Sequence, residues 1–274
     1  MTAACTDTKA TNTNGGQSWP SRGAVSAEQV HFYRDQGYLL VPGVFSPHEA
    51  ETFRAEAQAL AQRIEKLRGM EDPTWSTVRT GRTTIQHCHD VQFYSALFCG
   101  LMLDPRFTGL AQALIGPNVQ LHHNKMFIKP PEKGSPFPMH QDYYYFPHRH
   151  DSMIAAIVHF DASTEEKGCV RVVPGSHKLG PLKPAASDNS LSADEYPIEK
   201  AVPCVAGPGD VLFFSYLTIH GSGINASNSA RTTLLVQMRD PTDQPLDHQH
   251  KSRGQGMMLA GIDPSCGATQ PPTA

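Results

Sequence analysis

The sequence has no apolar run approaching the length of a membrane span, and its first residues, Met-Thr-Ala-Ala-Cys-Thr-Asp-Thr-Lys, carry no apolar stretch of the kind an export signal needs. It also has little charge of either sign in excess. Lys and Arg number 23 against 26 Asp and Glu, for a net charge of −3, and the basic residues are scattered, which argues against a nucleic-acid footprint or a membrane-surface patch. Six cysteines, at positions 5, 88, 99, 169, 204 and 266, form no Cys-x-x-Cys pair and no disulfide framework, so reduced thiols are expected. No internal repeat is present. These absences leave a soluble cytoplasmic enzyme acting on a small molecule, with no nucleic-acid or membrane partner and no signature of an oligomeric state.

What is present divides the 274 residues into three parts. Residues 1–24 are rich in Thr, Ala, Asn, Gly and Ser and read as a disordered leader. Residues 25–245 read as one domain, and 246–274 as a tail that partly covers it or stays flexible. Ser26 caps a helix stopped by Gly37, and an apolar strand follows at 38–41. Ser46-Pro47-His48-Glu49 is a capping box with proline at the first helical position, opening a long helix to Glu65 or Lys66. Residues 70–90 mix strand-forming Thr and Val with Gly and Pro. A shorter helix spans 107–114. From Val119 onward short β-type runs follow one another, at 119–129, 153–160, 170–173, 201–205, 210–215 and 232–239. Helices first and strands afterwards indicate an α+β chain with a mainly β core. The architecture expected is a double-stranded β-helix, the cupin-like jelly roll, with flanking helices. Residues 181–197 form a candidate lid.

The chemistry concentrates at Met139–Pro147. His140 and Asp142 are one residue apart, so on a strand both side chains point to the same face. An imidazole and a carboxylate converging there, completed by a distant histidine, would form a two-histidine, one-carboxylate set that leaves coordination positions open on non-haem iron. His220 is the partner expected, because it follows the strand-like 210–216 and precedes a glycine-rich turn. Eleven residues later Arg231 begins a return strand, and a buried guanidinium requires an anion, most simply a carboxylate. Two other classes fit parts of this pattern. A cupin-like non-oxidative metalloenzyme would use the triad with Zn or Mn but leave Arg231 unpaired, and a binding protein would need no triad.

Taken in order, His140-Gln141-Asp142, His220 with Ser222, and Arg231 resemble the phytanoyl-CoA dioxygenase family of Fe(II)/2-oxoglutarate oxygenases. Further blocks agree: Gly116-Pro117-Asn118, Lys129-Pro130-Pro131, Tyr145-Phe146-Pro147, Gly168-Cys169, Val173-Pro174-Gly175-Ser176-His177 and Gly209-Asp210. The resemblance covers roughly residues 26–240. It implies that His140, Asp142 and His220 bind Fe(II), and that Arg231 and Ser222 hold the distal carboxylate of 2-oxoglutarate. Lys125 falls where relatives contact the cosubstrate, with His123 and Phe127 on the same strand face. A family lysine near Thr84, Ile85 and Gln86 is missing here, and Lys125 is the candidate replacement.

With O2, the reaction implied releases succinate and CO2 and hydroxylates an aliphatic C–H bond. Asp142 occupies the position that halogenating relatives leave open for a halide. An acyl-CoA 2-hydroxylase of the phytanoyl-CoA type is the alternative to a free metabolite as substrate. Tyr143, Tyr144, Tyr145 and Arg171 are the remaining candidates for the substrate pocket, Arg171 having a structural ion pair as its other reading. The histidines at 122, 148, 150 and 177 read as supporting residues.

Overall fold

A computed structural model describes residues 25–66, 75–80, 83–131, 136–247 and 250–265. The leader expected at 1–24 lies outside the described residues. The first third is mostly helical: α1 (Ala27–Gln36), β1 (Tyr38–Val41), α2 (Pro47–Lys66), β2 (Trp75–Thr80), β3 (Thr83–His89), α3 (Ala96–Leu103) and α4 (Pro105–Ile115). The remainder is strand: β4 (Val119–Lys129), β5 (Phe137–His140), β6 (Ile154–His159), β7 (Val170–Val172), β8 (Val202–Pro203), β9 (Val211–Ser215), β10 (His220–Ser222), β11 (Arg231–Arg239) and β12 (Met258–Ala260). The caps are those the sequence implies. Ser26 and Gln29 exchange side-chain and backbone hydrogen bonds, Ser46 and Glu49 do the same, and Gly37 ends α1 in the left-handed conformation. Helix α3 has no counterpart in the sequence reading. Its residues are almost uniformly apolar, so they show no helical period, although Ser95 caps it through the amide of Phe98.

Two antiparallel sheets face each other. The larger has strand order β1-β9-β6-β11-β4-β3-β2, with β12 added beside β4; the smaller runs β5-β10-β7-β8. This is the double-stranded β-helix expected. Strands β1, β6 and β9 of the larger sheet are buried on both faces, which is why they read as nearly continuous apolar runs. On β9, Val211 and Phe213 join the core under α2, α3 and α4, while Leu212 and Phe214 turn to the smaller sheet. On β11 the same alternation sends Leu234, Val236 and Met238 to the helices. Arg231, Thr233, Leu235 and Gln237 face the interior cavity.

The turn between β10 and β11 sets where Arg231 emerges. Asn225 Nδ2 donates to the carbonyls of Lys129, Pro130 and Ser229 and ties this turn to the end of β4. Gly168 closes it from the other side with φ +65°. A Cβ there would lie 2.3 Å from the Gly223 carbonyl oxygen. Cys99, Cys169 and Cys204 are free thiols, and no described helix is long and apolar enough to cross a membrane.

Gly168→Ala therefore carries a left-handed backbone penalty of about 1–3 kcal/mol plus a backbone clash, and its Tm is expected to fall in thermal unfolding. Gly100→Ala is the control. A Cβ at that position in α3 meets open space, so the expected change is about 0.5–1 kcal/mol of stabilisation.

Candidate active site

The cavity between the sheets has a volume of about 340 Å³ and is lined by the concave faces of β4, β11, β5 and β10. At one end stand His140, Asp142 and His220. β5 and β10 pair antiparallel with His140 opposite His220, and their rings lie 4.3 Å apart centre to centre. Contrary to the sequence expectation, His140 and Asp142 do not share a strand. β5 ends at His140, and Asp142 opens a 3-10 turn over Asp142–Tyr145. Their side chains still converge because Gln141 between them stays extended (φ −111°, ψ 141°). Its amide is locked by bonds to the Leu217 and Gly180 carbonyls and from the Leu182 N–H.

The donor set fits a divalent metal. His140 Nδ1 lies 2.8 Å from the Pro138 carbonyl oxygen and His220 Nδ1 lies 3.0 Å from that of Thr218. Each Nδ1–H donating to its carbonyl leaves a lone pair on Nε2. Both Nε2 atoms point toward Asp142 Oδ1, at 3.5 and 3.7 Å, while Asp142 Oδ2 accepts from Gln237 Nε2 at 2.6 Å. One ligand atom from each of the three residues lies within 4.8 Å of the others. Burial pushes the Asp142 carboxyl up, but the His220 and His140 imidazoles, protonated in the acid range where a carboxyl titrates, and the Gln237 amide outweigh it, so the net shift is downward. Burial also holds His220 down, to about 4, in the neutral form that ligates.

The other end of the cavity is positively charged. Arg231 is 7% exposed, its guanidinium donates to the Gly168 carbonyl oxygen, and its Nε has no partner. Directly across the ladder sits Lys129, 1% exposed, whose Nζ donates to the Gly223 carbonyl and lies 3.4 Å from Ser222 Oγ. No described carboxylate pairs with either cation. Burial pulls Arg231 down to about 10, and burial followed by the neighbouring guanidinium pulls Lys129 down to about 7. Two desolvated cations beside a hydroxyl and without a counter-ion suit a carboxylate ligand.

His123, Lys125, Phe127 and Lys129 alternate along β4 into the cavity, and Tyr145 joins them with its hydroxyl donating to the Asp188 carbonyl at 2.8 Å. The segment containing Asp188 runs along β5, where the Leu191 amide bonds the Met139 carbonyl. Three residues expected at the pocket are elsewhere. Tyr143 packs on Tyr216 with ring centroids 5.5 Å apart, and Tyr144 is exposed, because the 3-10 turn fans the three tyrosines apart. Arg171 sits opposite Val170 on β7 and pairs with Glu165 and the Ala201 carbonyl outside the cavity. Among the polar lining residues that the sequence reading did not place at the site are Lys129, Gln237, His159 and His250. Period-two counting from Lys125 and from Arg231 reaches the first two; His250 arrives from the tail, where no local pattern announces it.

A jelly roll with a facial pair of histidines and a carboxylate at one end of its cavity and unpaired cations at the other defines the class of non-haem metal oxygenases that use a 2-oxo acid. The comparisons narrow this. Residues 33–233 match the family model described as phytanoyl-CoA dioxygenase (PhyH). The peroxisomal phytanoyl-CoA dioxygenase of Homo sapiens is 31% identical over 228 residues, covering 77% of this chain and 67% of that protein. Ectoine dioxygenase of Stutzerimonas stutzeri is 28% identical over 240 residues, covering 77% and 76%. Among solved structures, the epimerase SnoN in complex with Fe3+, alpha ketoglutarate and nogalamycin RO superposes with a TM-score of 0.66 at 25% identity, covering 86% of this chain and 96% of that one. The chain belongs to the phytanoyl-CoA dioxygenase family. It is a 2-oxoglutarate-dependent non-haem iron dioxygenase, with Fe(II), 2-oxoglutarate and O2 as its cofactors.

Lys129 yields a pH prediction. Its folded value of about 7 lies below the ordinary 10.5, so the ligand-free protein sheds this proton earlier than the unfolded chain does. The destabilisation is full below about 7 and is relieved as pH rises toward 10.5, so the stability of the ligand-free protein gains with pH across that window. If the charged Lys129 receives the 2-oxoglutarate carboxylate, binding is expected to weaken over the same window. Titrations across pH should show both trends, and both should flatten in Lys129→Met.

Proposed function

We propose that this dioxygenase hydroxylates an aliphatic C–H bond of a small-molecule metabolite, with conversion of 2-oxoglutarate to succinate and CO2. The observation that carries the reading is the pair of unneutralised buried cations, Arg231 and Lys129, at the far end of a cavity whose near end holds His140, Asp142 and His220. A non-oxidative metalloenzyme would have no use for that pair.

In this reading His140 Nε2, His220 Nε2 and one Asp142 oxygen would hold Fe(II). Bound iron and cosubstrate supply the oxidative decarboxylation that makes C–H cleavage possible. The chain's own residues supply placement. Arg231 and Lys129 take the distal carboxylate and Ser222 donates a hydrogen bond to it, which fixes the 2-oxo acid end toward the metal donors. Gln237 holds Asp142 Oδ2, leaving Oδ1 for the metal. Asp142 would occupy the position that a halide needs, which favours hydroxylation over halogenation, while ring formation, desaturation or epoxidation could follow the same hydrogen abstraction. Tyr145, whose hydroxyl donates to the Asp188 carbonyl, stands beside the His140 ring at the cavity wall.

Lys125, held by burial down to about 8, and the neighbouring His89 and His123 line the cavity wall. They suit a compact substrate with a hydrogen-bond-accepting or anionic group, and about 340 Å³ accommodates such a compound beside the cosubstrate. The identity to mammalian phytanoyl-CoA dioxygenases favours a second reading, an acyl-CoA 2-hydroxylase.

The test is stimulation of succinate formation across a panel of free carboxylic, amino and cyclic metabolites and acyl-CoA thioesters. Stimulation by a free compound, with hydroxylated product, supports the proposal; stimulation by thioesters alone transfers it to the second reading. Loss of the charge-assisted pair in Arg231→Ala should raise the KM for 2-oxoglutarate by roughly tenfold to a hundredfold. An unchanged KM would remove Arg231 from the cosubstrate site.

A further inference from the structure

We propose that His122, His123 and His250 form a second metal site, for a borderline-soft divalent ion of the zinc type, distinct from the His140, Asp142 and His220 donors. Consecutive residues on a regular strand point to opposite faces, so His122 and His123 should diverge. They do not, because the β4–β11 ladder shifts register between Gln237 and Met238. Gln237 pairs with His123 and Met238 with Leu121, leaving His122 as an extra residue in a bulge. The alternation inverts across it. Met126 and Ile128 join the helix-side core before the bulge, counting from the cavity end, and Leu121 and Val119 join it beyond. His122 and His123 consequently share the inner face, with their Nδ1 atoms 2.8 Å apart. His250 reaches the same point from the covering tail, its ring 4.5 Å from that of His123 and 5.3 Å from that of His122. One donor atom from each of the three lies within 4.8 Å of the others.

A hydrogen bond between His122 and His123 would account for those two nitrogens only. His250 Nδ1 remains buried without a partner, and so does Nε2 of His148, which is 2% exposed. His148 and His122 have ring centroids 5.4 Å apart, and both line, with His250 and Asp247, a second cavity of about 250 Å³. His148 Nδ1 sits 2.8 Å from the Phe146 carbonyl oxygen, two residues back, so its proton is on Nδ1 and its lone pair on the unpartnered Nε2. His140 and His220 have the same arrangement. Desolvation keeps His122, His123 and His250 in the uncharged form that ligates. Three imidazoles without a thiolate or a clustered set of carboxylates select Zn(II) over Mg(II) or Ca(II) and leave a fourth position open. His123 and His250 also line the main cavity, which puts the ion at its wall.

The experiment uses the full chain with His140→Ala and His220→Ala, which disables the other donor set, titrated with Zn(II) against a chromophoric chelator and with Co(II) by visible absorption. One equivalent of Zn(II) should remain bound, and Co(II) should give the intense bands of a four-coordinate ion. His250→Gln should abolish both, and His122→Phe likewise. In a chain with the other donors intact, His250→Gln alone should lower Zn(II) stoichiometry by one equivalent, which covers a double variant that fails to fold. Absence of Zn(II) from the folded double variant, or binding indifferent to His250→Gln and His122→Phe, overturns the proposal.

Discussion

The pairing of β11 between β4 and β6 governs the rest of the molecule. In an antiparallel ladder with a two-residue side-chain period, one register decides every residue on both faces at once. Here Leu234, Val236 and Met238 seal the sheet against α2, α3 and α4, and that same choice commits Arg231, Thr233, Leu235 and Gln237 to the cavity. A slip by one residue would drive Arg231 into the helix-side core and expose Leu234 to the site. Apolar packing on one side therefore fixes the polar geometry on the other.

The register also separates two kinds of polar burial. At the end of the cavity near Gln237, the Asp142 carboxylate accepts from the Gln237 amide and faces two histidine Nε2 atoms, a donor set whose charge a divalent metal ion would complete. At the Arg231 end, two cations have only backbone carbonyls and a hydroxyl, and their charge is left for a ligand to neutralise. An uncompensated buried cation is unfavourable for folding. Its persistence in the cavity marks where the protein trades stability for binding. The 2-oxo acid that belongs to this family has a carboxylate at each end, which matches a metal at one pole and a guanidinium at the other.

Much of this was legible in the sequence, for identifiable reasons. Ser26, Ser46 and Gly37 mark helix ends through local hydrogen bonds that need no tertiary context. Period two on β4 is enough to expect His123, Lys125 and Phe127 on one face, and the fold brings them there. His140, Asp142, His220 and Arg231 stand out because polar residues embedded in strand-like runs require partners, and they are brought into one cavity. Features set by tertiary context were not legible. Helix α3 lacks amphipathic contrast, since it packs apolar residues on several sides. The bulge at His122 depends on the distant β11 pairings of Gln237 with His123 and Met238 with Leu121, so period-two counting assigns His122 to the wrong face. The 3-10 turn at Asp142 disperses three tyrosines that a strand would have alternated.

In the proposed site one cavity would hold Fe(II) through His140, Asp142 and His220, and 2-oxoglutarate between that metal and Arg231. Anaerobic addition of Fe(II) and 2-oxoglutarate to the metal-free protein tests it most directly. A weak visible charge-transfer band should appear and be absent from His220→Ala. No band in the unsubstituted protein, with tight Zn(II) binding at the same donors and no succinate formed on admitting air, would contradict it.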